Sequence, residues 1–303
     1  MQGFVHTTGF APELLYPGLA KVWGTTYKQY PKKYTQFFQT KNSTKAFEKE
    51  QEINEFSLAT VKDQGNSVQF DRMTQGFQKE YVHTTYGLGA IITREMMEDD
   101  QYNVINRIPG FLARAMVRTE ETVSTNVLNN GFDAAITGAD GVALFSNAHP
   151  NSGTAGGTQS NLLSTSADLT QASLEALLIQ ISDCRDGNGN RIVVEGKKLV
   201  TSRSDIFNAT KILETKYKTA SADNDINVVS NLGMELIVTN YLTDQDAWFV
   251  VTDVEDGLTF YNRRAASINR DNDVSTENLA IVTTMRFDTG WTNWRGVYGS
   301  AGV

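Results

Sequence analysis

The sequence predicts an α+β fold drawn out into an arm, a long β-ribbon excursion, a spine helix and an α/β region. Three observations predict it. Val82, Thr84, Tyr86, Leu88, Ala90 and Ile92 occupy every second position, the period of a strand with one buried face. Val104, Ile108, Phe111, Leu112, Ala115, Thr119, Val123 and Val127 recur at three- and four-residue steps, the period of an amphipathic helix. From Leu169 onward, short helix and strand patterns alternate.

The arm, residues 1–49, contains Gly3, Gly9, Pro12, Pro17, Gly18, Gly24 and Pro31 and no long apolar period. Such a segment gains too little from burial to fold on itself. It is expected to be ordered by packing on the rest of the molecule or on other subunits, and to be retained rather than removed as an N-terminal propeptide. Between Lys21 and Lys49 it carries Lys21, Lys28, Lys32, Lys33, Lys41, Lys45 and Lys49 against a single acid, Glu48. That run reads either as a solvated basic face or as an arm lying on acidic surface or nucleic acid. Glu95, Glu98, Asp99 and Asp100 of a neighbouring copy are the candidate acidic partners.

The excursion covers residues 50–92. Asn54 to Val61 reads as a strand with Phe56 and Leu58 on one face, Lys62 to Asn66 as a polar turn, and Val68 and Phe70 as a second short strand. An isolated two-stranded ribbon is marginal in water, so this one needs a partner surface. Arg94 to Asp100 reads as a short acidic turn. The spine helix is predicted over Tyr102 to Asn129, roughly 40 Å at ~1.5 Å per residue. Pro109-Gly110 should kink it or start its main part, and Gly131 suits its C-cap.

Ser146 to Ser166, rich in Ser, Gly, Thr and Asn, reads as a surface loop. A helix from Gln171 to Arg185, capped by Thr170, turns Leu174, Leu177, Leu178 and Ile181 to one side. Asp186 to Asn190 is a tight turn. Strands are predicted at Arg191–Val194, Lys198–Thr201, Met234–Asn240, Ala247–Thr252 and Leu258–Arg263, the last two as a hairpin across Asp253 to Gly257. A helix over Asp205 to Lys216 lies between, and a strand over Leu279 to Phe287 leads to the close of the chain.

Composition limits the function. The chain has 303 residues, 40% hydrophobic and 20% charged, which is ordinary globular composition. It holds no apolar run long enough to span a bilayer, and residues 1–20 have no secretory pattern, so no membrane association is expected. A net charge of −8 disfavours tight nucleic-acid binding. One cysteine, Cys184, cannot staple a fold and reads as a small buried apolar residue.

The residues give no chemistry. His6, His83 and His149 lie at no metal-ligand spacing from one another or from Cys184. His83 reads as a partly exposed structural residue and His149 as a turn or capping residue. No phosphate-binding glycine loop and no nucleophile elbow occurs. Asp186-x-Asn188-x-Asn190 resembles the start of a calcium loop but has Arg191 where the turn needs glycine. Trp23, Trp248, Trp291 and Trp294 read as core or interface anchors. No catalytic, cofactor-binding or metal-binding residue is assigned, no cofactor is expected, and the chain reads as a non-enzyme.

The order of parts, with four segments, resembles the tailed-phage major capsid family, a fold shared with herpesvirus shells, and within it the Mu-like branch. The segments are Tyr86 to Asp100 (YGLGAIITREMMEDD), Val127 to Phe132 (VLNNGF), Leu144 to Pro150 (LFSNAHP) and Gly290 to Gly299 (GWTNWRGVYG). The resemblance implies an N-terminal arm (1–49), an extended loop overlapping a neighbour (50–92), a peripheral domain with the spine helix (93–168), an axial domain (169–262) and return strands of the peripheral domain (263–303). It also implies a structural head protein that self-assembles as pentamers and hexamers into an icosahedral virion shell around double-stranded DNA. The implied partners are copies of itself, a separate scaffold, a portal, possible decoration proteins and packaged DNA in weak non-specific contact. An encapsulin-like nanocompartment shell, which encloses enzymes, is the alternative.

Overall fold

The computed structural model describes residues 12–99, 104–153, 156–217, 226–273 and 278–303. Its scaffold is two four-stranded sheets placed against one long helix. Strands β1 (Gln39–Asn42), β4 (Thr84–Ile92), β10 (Leu258–Asp273) and β11 (Asn278–Trp291) form the first sheet in the order β1-β10-β11-β4. Strands β7 (Gly196–Ser202), β8 (Glu235–Thr239), β9 (Trp248–Thr252) and β12 (Val297–Ser300) form the second in the order β12-β9-β7-β8. A separate ribbon pairs β2 (Phe47–Asn54) with β3 (Thr74–Val82), and a minimal one pairs β5 (His149–Pro150) with β6 (Thr158–Gln159).

The arm corrects the sequence reading. Pro12–Gln29 is a helix, α1, despite Pro17, Gly18 and Gly24. Leu19, Trp23 and Tyr27 fall at four-residue steps along it. Leu19 and Trp23 are buried in a cluster with Ile92, Leu112 and Ile281, so tertiary packing outweighs poor helix propensity. Residues 1–11 lie outside the described residues. Further on, Tyr34, Phe37 and Phe38 enter the main core beside Met116, Phe249, Phe260 and Phe287.

A short helix, α2 (Arg94–Glu98), replaces the predicted acidic turn, with the Thr93 hydroxyl accepting from the Met96 N–H as its N-cap. The spine helix α3 is Ile108–Asn129, preceded by a 3₁₀ turn at Ile105–Arg107. Pro109 therefore sits in its first turn, where a missing N–H costs nothing, and marks its start. Its 22 residues span roughly 33 Å at ~1.5 Å per residue, shorter than expected. Gly131 is no left-handed cap. A Cβ there would meet the Phe145 ring at 2.5 Å, so close packing selects the glycine.

In the α/β region, α4 (Gln171–Ser182) begins with the Thr170 cap closed into a reciprocal box with Ser173. Leu174, Leu177 and Ile181 of α4 pack with Ala209 and Leu213 of α5 (Ile206–Glu214) and with Trp248, Trp294 and Tyr298. Arg191–Val194 forms no strand and contributes one isolated bridge, Arg185 to Arg191. The predicted hairpin of β9 with β10 is absent. The turn at Asp256, with φ 56°, instead passes the chain from the second sheet into the first.

Candidate assembly surface

The ribbon differs from its prediction in place and form. Pairing runs from Phe47↔Val82 to Asn54↔Thr74, and β4 belongs to the first sheet, opposite β11. His83 breaks the eleven-residue alternation into β3 and β4. Residues 55–73, where two strands were expected, form none. The tip turn holds, with the Asn66 N–H donating to the Asp63 carbonyl at 3.2 Å and Gly65 at φ +88°.

The root of the excursion is tied into the subunit. Arg295, 3% exposed, pairs with Glu52 of β2 at 2.8 Å, donates from Nε to the Arg185 carbonyl at 2.8 Å and stacks over the Trp294 ring. Two positions earlier, Glu50 accepts from Lys41, from the Tyr261 hydroxyl and from the Thr292 hydroxyl. Lys41 also pairs with Asp256 at 2.5 Å. Partial burial disfavours the Lys41 charge, yet hydrogen bonds to Asp256 and Glu50 leave its pKa raised. Burial, then the bond to Glu50, holds the Tyr261 phenol in its neutral form. Asn54 accepts from the Ser152 hydroxyl at 2.8 Å, and Asn188 donates to the Glu55 carbonyl at 2.7 Å, clamping the last paired residue.

Beyond this clamp the large apolar side chains are uncovered. Leu58 is 80%, Val61 92% and Phe70 93% exposed, and Phe56, Val68 and Met73 are also open to solvent. Large apolar groups on a segment without a ladder mark a contact surface.

Five of the seven arm lysines have partners within their own subunit. Lys32 stands 2.7 Å from Glu120 of α3, at an angle that makes it a charge contact, and donates to the Tyr27 hydroxyl. Lys33 donates from its side chain to the Val238 carbonyl, and its backbone N–H donates to Glu121 at 2.5 Å. Lys45 pairs with Glu48 and Lys49 with Glu80. Among the described residues these in-chain partners do not include Glu95 or Asp99; the Glu98 side chain and Asp100 lie outside the described residues.

The histidines are more deeply placed than expected. His83 is buried and shares a hydrogen bond with the Ser43 hydroxyl at 3.1 Å. Burial first, then the charge of Arg286, pushes its pKa down. His149 is buried between Asp140 (2.6 Å) and Asn161 (3.1 Å) and lies flat on the Trp294 ring. That makes it a bracket between loops, and no sequence spacing signals the arrangement. Cys184 is buried and free, and all four tryptophans are buried. Among the described residues no group of three His, Cys, Asp or Glu side chains is placed to hold a metal, and no helix is long and apolar enough to cross a membrane.

The family model described as phage capsid protein matches residues 77–300. No curated protein sequence matches the chain. Among solved structures, a virus-like particle from Pyrococcus furiosus is similar over 94% of this chain and 99% of its own, with TM-score 0.59 at 10% identity. The procapsid of bacteriophage JBD30 is similar over 97% of this chain and 75% of its own, with TM-score 0.54 at 15% identity. The capsid of a native GTA particle is similar over 99% and 92%, with TM-score 0.58 at 9% identity. A capsid fold along nearly the whole chain and a family match over most of it place this chain in the phage capsid protein family, as a structural major capsid protein of the tailed-phage type.

Proposed function

We propose that this subunit assembles with copies of itself, as pentamers and hexamers, into an icosahedral shell that encloses double-stranded DNA, and that it performs no catalysis. Residues 1–49 serve as the arm and 50–82 as the overlapping loop; because β4 and β10 lie in the first sheet and β12 in the second, 83–168 with 258–296 serve as the peripheral domain and 169–257 with 297–303 as the axial domain. A separate scaffold, a portal and decoration proteins complete the head. Contact with the packaged DNA is weak, as the net charge of −8 dictates.

The observation that carries this reading is the contrast between the clamped root and the uncovered tip. Fully burying one large apolar side chain is worth about 1.5–3 kcal/mol. Phe56, Leu58, Val61, Val68 and Phe70 gain that only where a second surface covers them. Replacing Ser57–Asp71 by a short glycine linker should leave a folded subunit with unchanged helix content by circular dichroism. Electron microscopy of the same preparation should show no shells, or fragile and irregular ones. Regular shells from this variant would remove the excursion from the assembly mechanism. An encapsulin-like role would appear as enzyme cargo in purified wild-type particles; the family match favours the phage head.

A further inference from the structure

Two arginines face each other in the first sheet. Arg264 of β10 is directly opposite Arg286 of β11, and Arg286 is flanked on its other side by Thr85 of β4. Like charges directly opposite on antiparallel strands destabilise the pair. The register slips on both sides of Arg264, which sets Arg263 beside them, its Nε buried without a hydrogen-bond partner. Arg264 donates only to the Thr284 hydroxyl at 3.2 Å, and Arg286 Nε to the His83 carbonyl at 3.1 Å. Among the described residues none of the three guanidinium groups has a carboxylate in ion-pair range, whereas Lys32, Lys41, Lys45, Lys49 and Arg295 all do. Burial and then the charge of Arg286 push the His83 pKa down, against a smaller opposing pull from Glu48, and Arg263 adds to the lowering.

We infer that Arg264 and Arg286 form a receptor for a carboxylate of a second copy of this chain, and that Asp63 at the tip of the excursion supplies it. A guanidinium pair suits one planar carboxylate held by charge-assisted hydrogen bonds. Duplex DNA would call for an extended basic stripe, at odds with an acidic chain. The unpaired stretch 55–73 of the excursion carries three acids, Glu55, Asp63 and Asp71. Glu55 lies at the clamped root, and the Asp71 carboxylate already accepts the Ser57 and Arg72 N–H groups. Asp63 stands exposed in the tip turn, and among the described residues its carboxylate accepts no hydrogen bond. From Glu55 to Asp63 an extended chain reaches roughly 26 Å at ~3.3 Å per residue, far enough to leave its own subunit. The approach to the receptor is open. Arg264 is exposed, and Gly87 and Gly89 of β4, opposite Thr284 and Val282, raise no side chain beside the arginines.

The inference rests on the shell reading, and the test separates the two. Wild-type protein, with scaffold supplied, must form shells; failure there overturns both. Given wild-type shells, Arg264→Glu, Arg264→Gln and Asp63→Arg should each lower shell yield at least tenfold at fixed protein and low salt. The isolated Arg264 variants should melt at or above the wild-type temperature, because relieving the like-charge pair does not harm the subunit. Combining Arg264→Glu with Asp63→Arg should restore yield. Wild-type yield from the single variants, or no restoration in the double variant, overturns the inference. So do shells formed at normal yield with reduced DNA content, which would assign the arginines to phosphate instead.

Discussion

Glu121 shows how a single buried residue couples the arm to the spine helix. Its carboxylate accepts the backbone N–H groups of Lys33 and Tyr34, and Glu120 and Tyr241 lie close enough to add negative charge or neutral bulk. Burial raises its pKa above the ordinary carboxylate range, against the pull of the two N–H groups. Below the ordinary value, about 4.3, the proton is on in both folded and unfolded chains and there is no penalty. As pH rises through the ordinary value and then the folded one, the unfolded chain ionises first and the subunit loses stability. Glu121→Gln keeps the acceptor and removes the charge. It should melt with the wild type near pH 4 and roughly 2–4 °C higher near pH 7. A constant difference across that range, read by thermal circular dichroism, would assign the effect to packing. None of this was legible in the sequence, because a Glu pair inside a helical period looks like a solvated face. His149 was hidden for the same reason: its partners Asp140, Asn161 and Trp294 meet only in three dimensions.

At the scale of elements, periodicity located what is locally determined. Spine helix, Thr170 cap, α4, α5, β7, β8, β9 and β11 lie where apolar spacing and capping residues put them. Errors arose where distant contacts decide. The stripe Leu19, Trp23, Tyr27 was visible at helical spacing, but Pro17 and two glycines concealed a helix whose stability comes from packing on α3. Asp253 to Gly257 has turn composition, yet it joins two sheets, a choice made by β12 taking the place beside β9. The arm lysines belong to this scale too. Neutralising Lys32 or Lys41 to Gln should cost subunit stability by roughly 1 kcal/mol each, after allowing for solvent screening of partly exposed pairs. Denaturant unfolding measures this, and the salt dependence of shell formation should stay as in the wild type. An unchanged midpoint with a changed salt response would return these lysines to the subunit interface.

For the whole molecule, the capsid fold was legible because its parts come in a fixed order along the chain, and order survives at sequence identities of 9–15% to solved shells. What order does not reveal is where a chain is finished and where it is open. Residues 55–73 have no strand pairing, so in the free subunit their amides should exchange with solvent at nearly unstructured rates. In assembled shells the same amides should be protected by at least a hundredfold while those of α3 change little. Equal exchange in both states, by hydrogen–deuterium mass spectrometry, would show that nothing covers the segment. The clamp at Glu50, Glu52 and Asn54 fixes where this segment starts and leaves its course undecided. Identical chains in a closed polyhedral surface must meet at more than one angle, at corners as well as on flat faces. A part that is stiff up to one joint and compliant past it can be stamped out in a single form and still seat at every angle. Here the angular mismatch can be taken up by backbone torsions that hold no ladder together, with neither sheet and no core side chain having to move.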